Sequence, residues 1–455
     1  MPAGGRLGPN ETGGFTMRGL RSLCALALAG TLVAASCGGD EHESAGATTA
    51  NTSVPVPAST AEPVGEPPVE DTVGGATTVV ATTDVAPPES SDGDDDEPTS
   101  DPADGTADLS SFVESLYAGT FTDPPSESPP AATDKSVWVI SCGEAAAGCA
   151  ELAGGAKEGA EAMGWDVTLF DGRFGADGAY PAGVRQAVAA GADGILIGAI
   201  DCPLIAQPLA EARAAGIVVV GMGAYDCDDE RLGGGDPLFD GWTFSSDERP
   251  TTRDEALANG DARAAWLMVH DGTEGLQVLV FHHVDSLLGE DYADGFESRI
   301  EAECATCEIV PIEFTFADLA TGAIGRKASD ALVKYPDADA LFVPYDSLLL
   351  LGVAQSVVRS GRVDDVTVVG GEGYTPNLEL IATNGGQDVA VGTSGRWSGW
   401  GGVDTLNRLF AGEQPVGQGY GFRLIDAEHM VEDDGVAAIP PIDYKSAYRS
   451  AWGVG

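Results

Sequence analysis

Residues 181–220 read PAGVRQAVAAGADGILIGAIDCPLIAQPLAEARAAGIVVV, and this stretch decides the fold. An Ala-rich run near 181–190 has helical character and stops at Gly191. Ile195-Leu-Ile197 follows as a short apolar strand. A second helical run near 203–215 stops at Gly216, and Ile217 to Val220 is apolar again. A glycine after each helix supplies the left-handed turn that ends it. Strands that are apolar throughout, without alternation, are covered on both faces, as in a parallel sheet.

The same unit extends outward in both directions. Upstream, Val137-Trp-Val-Ile140 predicts a strand, 148–163 a helix ending at Gly164, and Val167-Thr-Leu-Phe170 a strand. A Gly- and Asp-rich stretch, 221–255, breaks the rhythm. It resumes with helix 256–269, strand Leu276 to Phe281, helix 290–302 and strand 308–316. Helix 321–334, strand Ala340 to Pro344 and helix 347–360 come next, then strand Val366 to Val369 and helix 376–383. Strand Val389 to Gly392 and helix 398–411 complete the second half. The fold class is therefore α/β, with two doubly wound parallel-sheet lobes and a ligand cleft at the carboxyl ends of their strands.

The chain has 455 residues and a formal charge of −49, unevenly spread. Residues 38–134 hold 21 acidic residues and neither Lys nor Arg, whereas 135–455 carry 50 acids against 20 bases. Such a balance excludes a nucleic-acid binder, which needs clustered Lys and Arg, and docking on anionic lipid through a basic patch. At the start, Met17-Arg-Gly-Leu-Arg21 precedes an apolar run from Leu23 to Ala35, the layout of a signal peptide over 1–36, with Met17 a candidate start. The run is shorter than the roughly 20 residues a membrane-spanning helix needs. Ala34-Ala-Ser-Cys37 resembles a bacterial lipobox with Ala34 where Leu is usual. Cys37 would carry the lipid; ordinary cleavage releasing a secreted protein is the alternative.

The Thr/Pro-rich acidic segment that follows, within a 37–134 linker, cannot offset chain entropy by burial and should stay mostly disordered and extended. One island interrupts it: Leu109, Phe112, Val113, Leu116 and Tyr117 fall at helical spacing, either docking onto the folded part or forming a short irregular segment. Eight cysteines leave six, Cys142, Cys149, Cys202, Cys227, Cys304 and Cys307, once Cys24 and Cys37 are set aside. An even number suits disulfides in an exported protein, and pairing of sequence neighbours is the expectation. Cys304-Ala-Thr-Cys307 lacks a second pair at ligand spacing, so no metal site is expected.

The region 135–455 resembles the type I periplasmic-binding-protein family, specifically the ribose-type sugar-binding lipoproteins of ABC importers. The resemblance is carried by Val137-Trp-Val-Ile-Ser-Cys142, Ala162-Met-Gly-Trp165, Gly191-Ala-Asp-Gly-Ile-Leu-Ile197 and Ala214-Ala-Gly-Ile-Val-Val219. Phe342-Val-Pro-Tyr-Asp346 with Leu351-Gly352, Val366-Thr-Val-Val-Gly-Gly-Glu372 and Asp443-Tyr-Lys-Ser-Ala-Tyr448 complete it. It implies lobes of 135–247 plus about 393–418 and 248–392 plus about 419–455, joined by a three-strand hinge. It further implies closure on a small polar solute, a sugar or polyol, and reading of the closed monomer by an ABC permease. The protein would be exported and held by its lipid at the outer face of the cytoplasmic membrane. No cofactor is implied.

Groups just past the strand ends are the candidate ligand contacts: Glu144, Tyr225, Asp226, Asp285, Tyr345, Asp346 and Glu372. Carboxylates accept hydrogen bonds from vicinal hydroxyls. Arg396, Trp397 and Trp400 join them because the glycines of Gly395-Arg-Trp-Ser-Gly-Trp400 suggest an exposed turn. The family's early aromatics are replaced by Gly148 and Cys149, and its Asp-Arg pair aligns with Gly223-Ala224, so the usual ribose pocket is not reproduced. There is no P-loop, nucleophile elbow or metal-binding His pattern, which argues against an enzyme. The alternative function is a ligand-binding module for a surface sensor.

Overall fold

The computed structural model describes residues 102–455; the signal peptide, Cys37 and most of the acidic linker lie outside the described residues. The chain enters on helix α1 (Pro102–Ala118) and then builds the N-terminal lobe from β1 (Ser136–Ser141), α2 (Ala147–Ala162), β2 (Asp166–Asp171), α3 (Ala179–Ala190), β3 (Gly194–Gly198), α4 (Ala206–Ala214), β4 (Val218–Met222) and β5 (Gly241–Trp242). The C-terminal lobe follows with α5 (Thr252–Asp271), β6 (Gln277–His283), α6 (Leu287–Glu303), β7 (Glu308–Phe314), α7 (Phe316–Thr321), α8 (Ile324–Lys334) and β8 (Ala340–Phe342). Then come α9 (Asp346–Leu348), α10 (Ala354–Ser360), β9 (Thr367–Val369), α11 (Thr375–Ala382) and β10 (Val389–Thr393). The chain returns on α12 (Gly395–Ala411), goes back on β11 (Phe422–Asp426) and ends on α13 (Tyr444–Trp452).

The strands form a five-stranded sheet, β2-β1-β3-β4-β5, and a six-stranded sheet, β11-β10-β9-β8-β6-β7. All ladders are parallel except β10–β11. Every residue of β3 is buried, as a wholly apolar strand requires. In the first lobe, Val137, Val139 and Leu196 face α2 and α12, while Ile140, Ile195 and Ile197 face α3 and α4. Three disulfides join sequence neighbours: Cys142–Cys149, Cys202–Cys227 and Cys304–Cys307.

Two segments depart from the sequence expectation. Packing begins before residue 135. Leu109, Val113 and Leu116 are buried in the cluster around α5 and β11, and the Tyr117 hydroxyl donates to Asp426 Oδ2 at 2.5 Å. The chain then straps across to the other lobe. Thr120 N–H donates to Phe422 O at 2.9 Å, Trp165 Nε1–H to Ala132 O at 2.7 Å and Asn407 Nδ2–H to Pro129 O at 2.8 Å. The island at 109–117 thus takes the docked one of its two alternatives, and the stretch after it satisfies its backbone on the folded lobes. At the other end, α13 packs on the N-terminal lobe, not on the lobe assigned to 419–455. Tyr444, Tyr448 and Trp452 share one helical face and meet Trp397 and Trp400.

Candidate functional site

A cavity of about 170 Å³ lies between the lobes at the carboxyl ends of their strands. Its N-terminal wall is the Cys142–Cys149 disulfide, Gly148, Leu152 and Phe174. Asn259, His283, Tyr292, Phe316, Tyr345, Glu372 and Tyr374 face it from the C-terminal lobe, and Ser394, Ser398 and Tyr420 close it at the crossovers.

Glu372 is the centre of the polar wall. Its backbone φ of 147° is unusual for a residue with a side chain. Burial, and secondarily the Asp346 carboxylate beside it, push its carboxyl up to about 8. Its Oε2 accepts from Asp346 N–H at 3.0 Å. Across the cleft, a Cβ on Gly148 would stand 2.4 Å from Glu372 Oε1, so only glycine lets α2 come this close. Beneath it, Asp346 is fully buried and accepts from Gly371 N–H and Gly373 N–H, each at 2.8 Å, and from Gln387 Nε2–H at 2.9 Å. Arg263 donates to Val343 O and Pro344 O at 3.0 and 3.1 Å. Its guanidinium also lies 4.9 Å from the Tyr292 ring and 5.2 Å from Phe342, and its Nε and Nη2 are buried without a hydrogen-bond partner.

Three further groups line the cavity. Asn259 Oδ1 is buried without a partner. Burial pushes the His283 pKa down despite Asp285 Oδ1 at 3.0 Å from Nε2, a contact whose angle makes no hydrogen bond. Burial raises the Glu255 pKa, against the pull of Arg249 at 3.1 Å.

The lobes touch along the rim. Asp201 Oδ2 accepts from Leu287 N–H at 3.0 Å and its Oδ1 from Tyr225 N–H at 3.2 Å. Asp291 on α6 takes the Tyr225 hydroxyl and Arg231 Nη1–H, the latter at 2.6 Å. Phe174 crosses into the apolar cluster of the C-terminal lobe.

Of the residues singled out in the sequence, Tyr345 and Glu372 line the cavity. Tyr225 belongs to the rim clasp. Asp346 lies under the floor, and Asp226 holds the loop 227–239 by accepting from Cys227, Leu238 and Phe239 N–H. Asp285 accepts from Phe316 N–H at 3.0 Å. Glu144 is outside the lining, with Oε1 buried and unpartnered, and Arg396 pairs with Glu151 at 2.8 Å. Trp397 and Trp400 correct the expectation of an exposed turn, being wholly buried in the first lobe's core. The neighbouring glycines serve close helix packing instead: a Cβ on Gly399 would lie 2.4 Å from Leu152 O, and one on Gly155 2.3 Å from Arg396 O. Asn259, Tyr292, Phe174, Phe316 and Tyr420 were missed; the available signal for Asn259 was an amide within an Ala-rich helical run.

The grouping of possible metal ligands among the described residues is Cys202, Asp226 and Cys227. Its sulfurs are joined to each other and its carboxylate is taken by backbone N–H groups, so it does not suit a cation. No helix among the described residues is long and apolar enough to cross a membrane.

No curated protein matches the sequence. Among solved structures, the fold is similar to an ABC transporter solute-binding protein from Agrobacterium vitis with bound allitol, at TM-score 0.55 and 18% identity, covering 65% of this chain and 96% of that one. It is likewise similar to an ABC transporter periplasmic solute-binding protein from Actinobacillus succinogenes with bound D-allose, at TM-score 0.55 and 15% identity over 65% and 99% of the two chains. A solute-binding protein from Mycobacterium smegmatis with bound glycerol gives 0.54 and 18% over 67% and 100%. The family model described as periplasmic binding protein domain matches residues 143–414. With more than half of its length matched, this chain belongs to the periplasmic-binding-protein domain family.

Proposed function

We propose that this protein is the extracytoplasmic solute receptor of an ABC importer, capturing a sugar, polyol or similar small polar solute by lobe closure. It hands the solute to a membrane permease and performs no chemistry on it. The observation that carries the reading is the cavity at the strand ends of both lobes, rimmed by bonds from one lobe to the other at Asp201–Leu287 and Arg231–Asp291. Such bonds form only when the lobes meet, so they favour the ligand-bound arrangement. Export through residues 1–36 and anchoring by lipid on Cys37 belong to the same proposal, with the acidic segment after Cys37 as the tether.

A thermal-shift screen of sugars and polyols tests it. A ligand at 100 times its dissociation constant stabilises by roughly 2.7 kcal/mol, a clear rise in Tm. No shift with any small polar solute would sink the reading. Uptake that survives deletion of the gene, with loss of a transcriptional response to the ligand, would assign the module to a surface sensor.

A further inference from the structure

We propose that Arg263, buried beneath the cavity wall, is a positioning residue of the cleft: it seats Tyr292, Tyr345 and Glu372 from behind, and ligand affinity depends on it through them. This rests on the receptor function above and deepens it.

Arg263 lies on α5 and is wholly buried. It is absent from the cavity lining, whereas Tyr292, Tyr345 and Glu372 all belong to it. Those side chains come from three different places, α6, the turn after β8 and the turn after β9, and Arg263 touches each of them or the backbone that carries it. Its Nη1 donates to Val343 O at 3.0 Å and to Pro344 O at 3.1 Å, the carbonyls just before Tyr345. Its guanidinium stands 4.9 Å from the centre of the Tyr292 ring. The turn that carries Glu372 rests on it directly. A Cβ on Gly371 would lie 2.3 Å from Arg263 Cζ and 2.3 Å from its Nη2, so only glycine leaves room for the guanidinium there.

The seated parts also brace one another. Asp346 N–H donates to Glu372 Oε2 at 3.0 Å, and Gly371 N–H donates to Asp346 Oδ1 at 2.8 Å. The Tyr292 and Tyr345 rings meet edge to face at 6.0 Å. Helix α5 is itself fixed against α6, where a Cβ on Gly260 would stand 2.2 Å from Tyr292 O. Side chains held from behind keep their binding geometry before a ligand arrives, which lowers the ordering entropy lost on binding.

Packing alone does not account for an arginine at this position. Its Nε and Nη2 are buried with no hydrogen-bond partner, and a guanidinium with unmet donors in the interior is destabilising. Methionine would fill similar space without that penalty. What methionine lacks is a flat fork that holds adjacent carbonyls and presents a face to Tyr292 and Gly371 together.

Titration calorimetry on the folded protein tests the assignment. The probe is whichever of D-allose, allitol, D-galactose and L-arabinose raises the wild-type Tm most. Arg263→Met should weaken its binding about tenfold or more, the equivalent of one lost ligand hydrogen bond, in protein shown by circular dichroism to be folded. Arg263→Lys, which can still donate to the carbonyls but has no flat face, should recover part of that loss. In a double-mutant cycle, Arg263→Met should take less from a chain already carrying Tyr345→Phe and Glu372→Gln than from the wild type, because it acts through those side chains. Should Arg263→Met not fold, Arg263→Lys carries the same cycle. Additive losses, wild-type affinity in Arg263→Met, or a lysine variant no better than the methionine one overturn the positioning role and leave the receptor function standing. Failure of every probe to bind the wild type sinks both.

Discussion

The Arg231 guanidinium of the N-terminal lobe meets the Asp291 carboxylate of the C-terminal lobe at 2.6 Å, with Asp291 wholly buried. The Tyr225 hydroxyl donates to the same carboxylate from the same side. Two donors of one lobe thus share one acceptor of the other. Arg231 sits in the loop that follows Cys227, whose disulfide to Cys202 fixes the loop's start.

Asp291→Asn removes the charge and weakens the clasp while keeping an acceptor. A charge-assisted hydrogen bond contributes about 1.5–3 kcal/mol, so affinity for a cleft ligand should fall on the order of tenfold to a hundredfold. Calorimetry reads this directly, and small-angle scattering of the free protein should show a larger radius of gyration. An unaltered affinity would make the contact incidental to closure.

Glu372 sets a pH dependence. Its carboxyl is raised to about 8 from an ordinary 4.5, so the folded chain holds a proton that the unfolded chain releases. The stabilising contribution is complete below pH 4.5 and is lost as pH rises towards 8. The slope is up to about 1.4 kcal/mol per pH unit. The groups facing it are Asp346 below, Arg263 from α5 and Tyr374 beside it. Melting curves of wild type and Glu372→Gln from pH 5 to 9 should diverge, the wild type declining more steeply. Parallel curves would show that Glu372 titrates as an ordinary carboxyl.

The strap before residue 135 is part of the folded body. Leu116 is buried against the α5 and β11 cluster. Leu116→Ala should destabilise by roughly 2–5 kcal/mol, measured by urea unfolding. A loss below half a kilocalorie would return the segment to the tether.

Trp400 separates packing from binding. It stacks on Trp452 at 5.3 Å and is wholly buried. Trp400→Phe should lower the urea midpoint while the folded fraction binds ligand within about twofold of wild type, since the ring lines no part of the cavity. A selective loss of affinity with the midpoint intact would restore the ligand-contact role.

The α/β class, the parallel strands and the order of most elements were legible from residues 137–220 and their echo in the second half, because unbroken apolar strands and glycine-terminated helices are local signals. Two strands escaped: β5, two residues long, pairs with β4 inside the Gly- and Asp-rich stretch, and β11 runs antiparallel to β10 beyond the last predicted helix. The predicted helix 321–334 is α8, and the short α7 precedes it, unread from the sequence. Tyr345 and Glu372 could be placed at the site because both follow strand ends.

The sequence by itself determined two lobes, a cleft between them and an acidic chain unsuited to nucleic acid. Tertiary structure alone decided which residues face that cleft. A carboxylate past a strand end can point into the cavity, as Glu372 does, or accept from the backbone behind it, as Asp226 does. The choice depends on how loops from distant parts of the chain fold over it. The same holds for the glycines around Trp397 and Trp400. Their lack of a side chain reads as a turn locally, yet it serves to bring α2 and α12 into contact across more than two hundred residues of sequence.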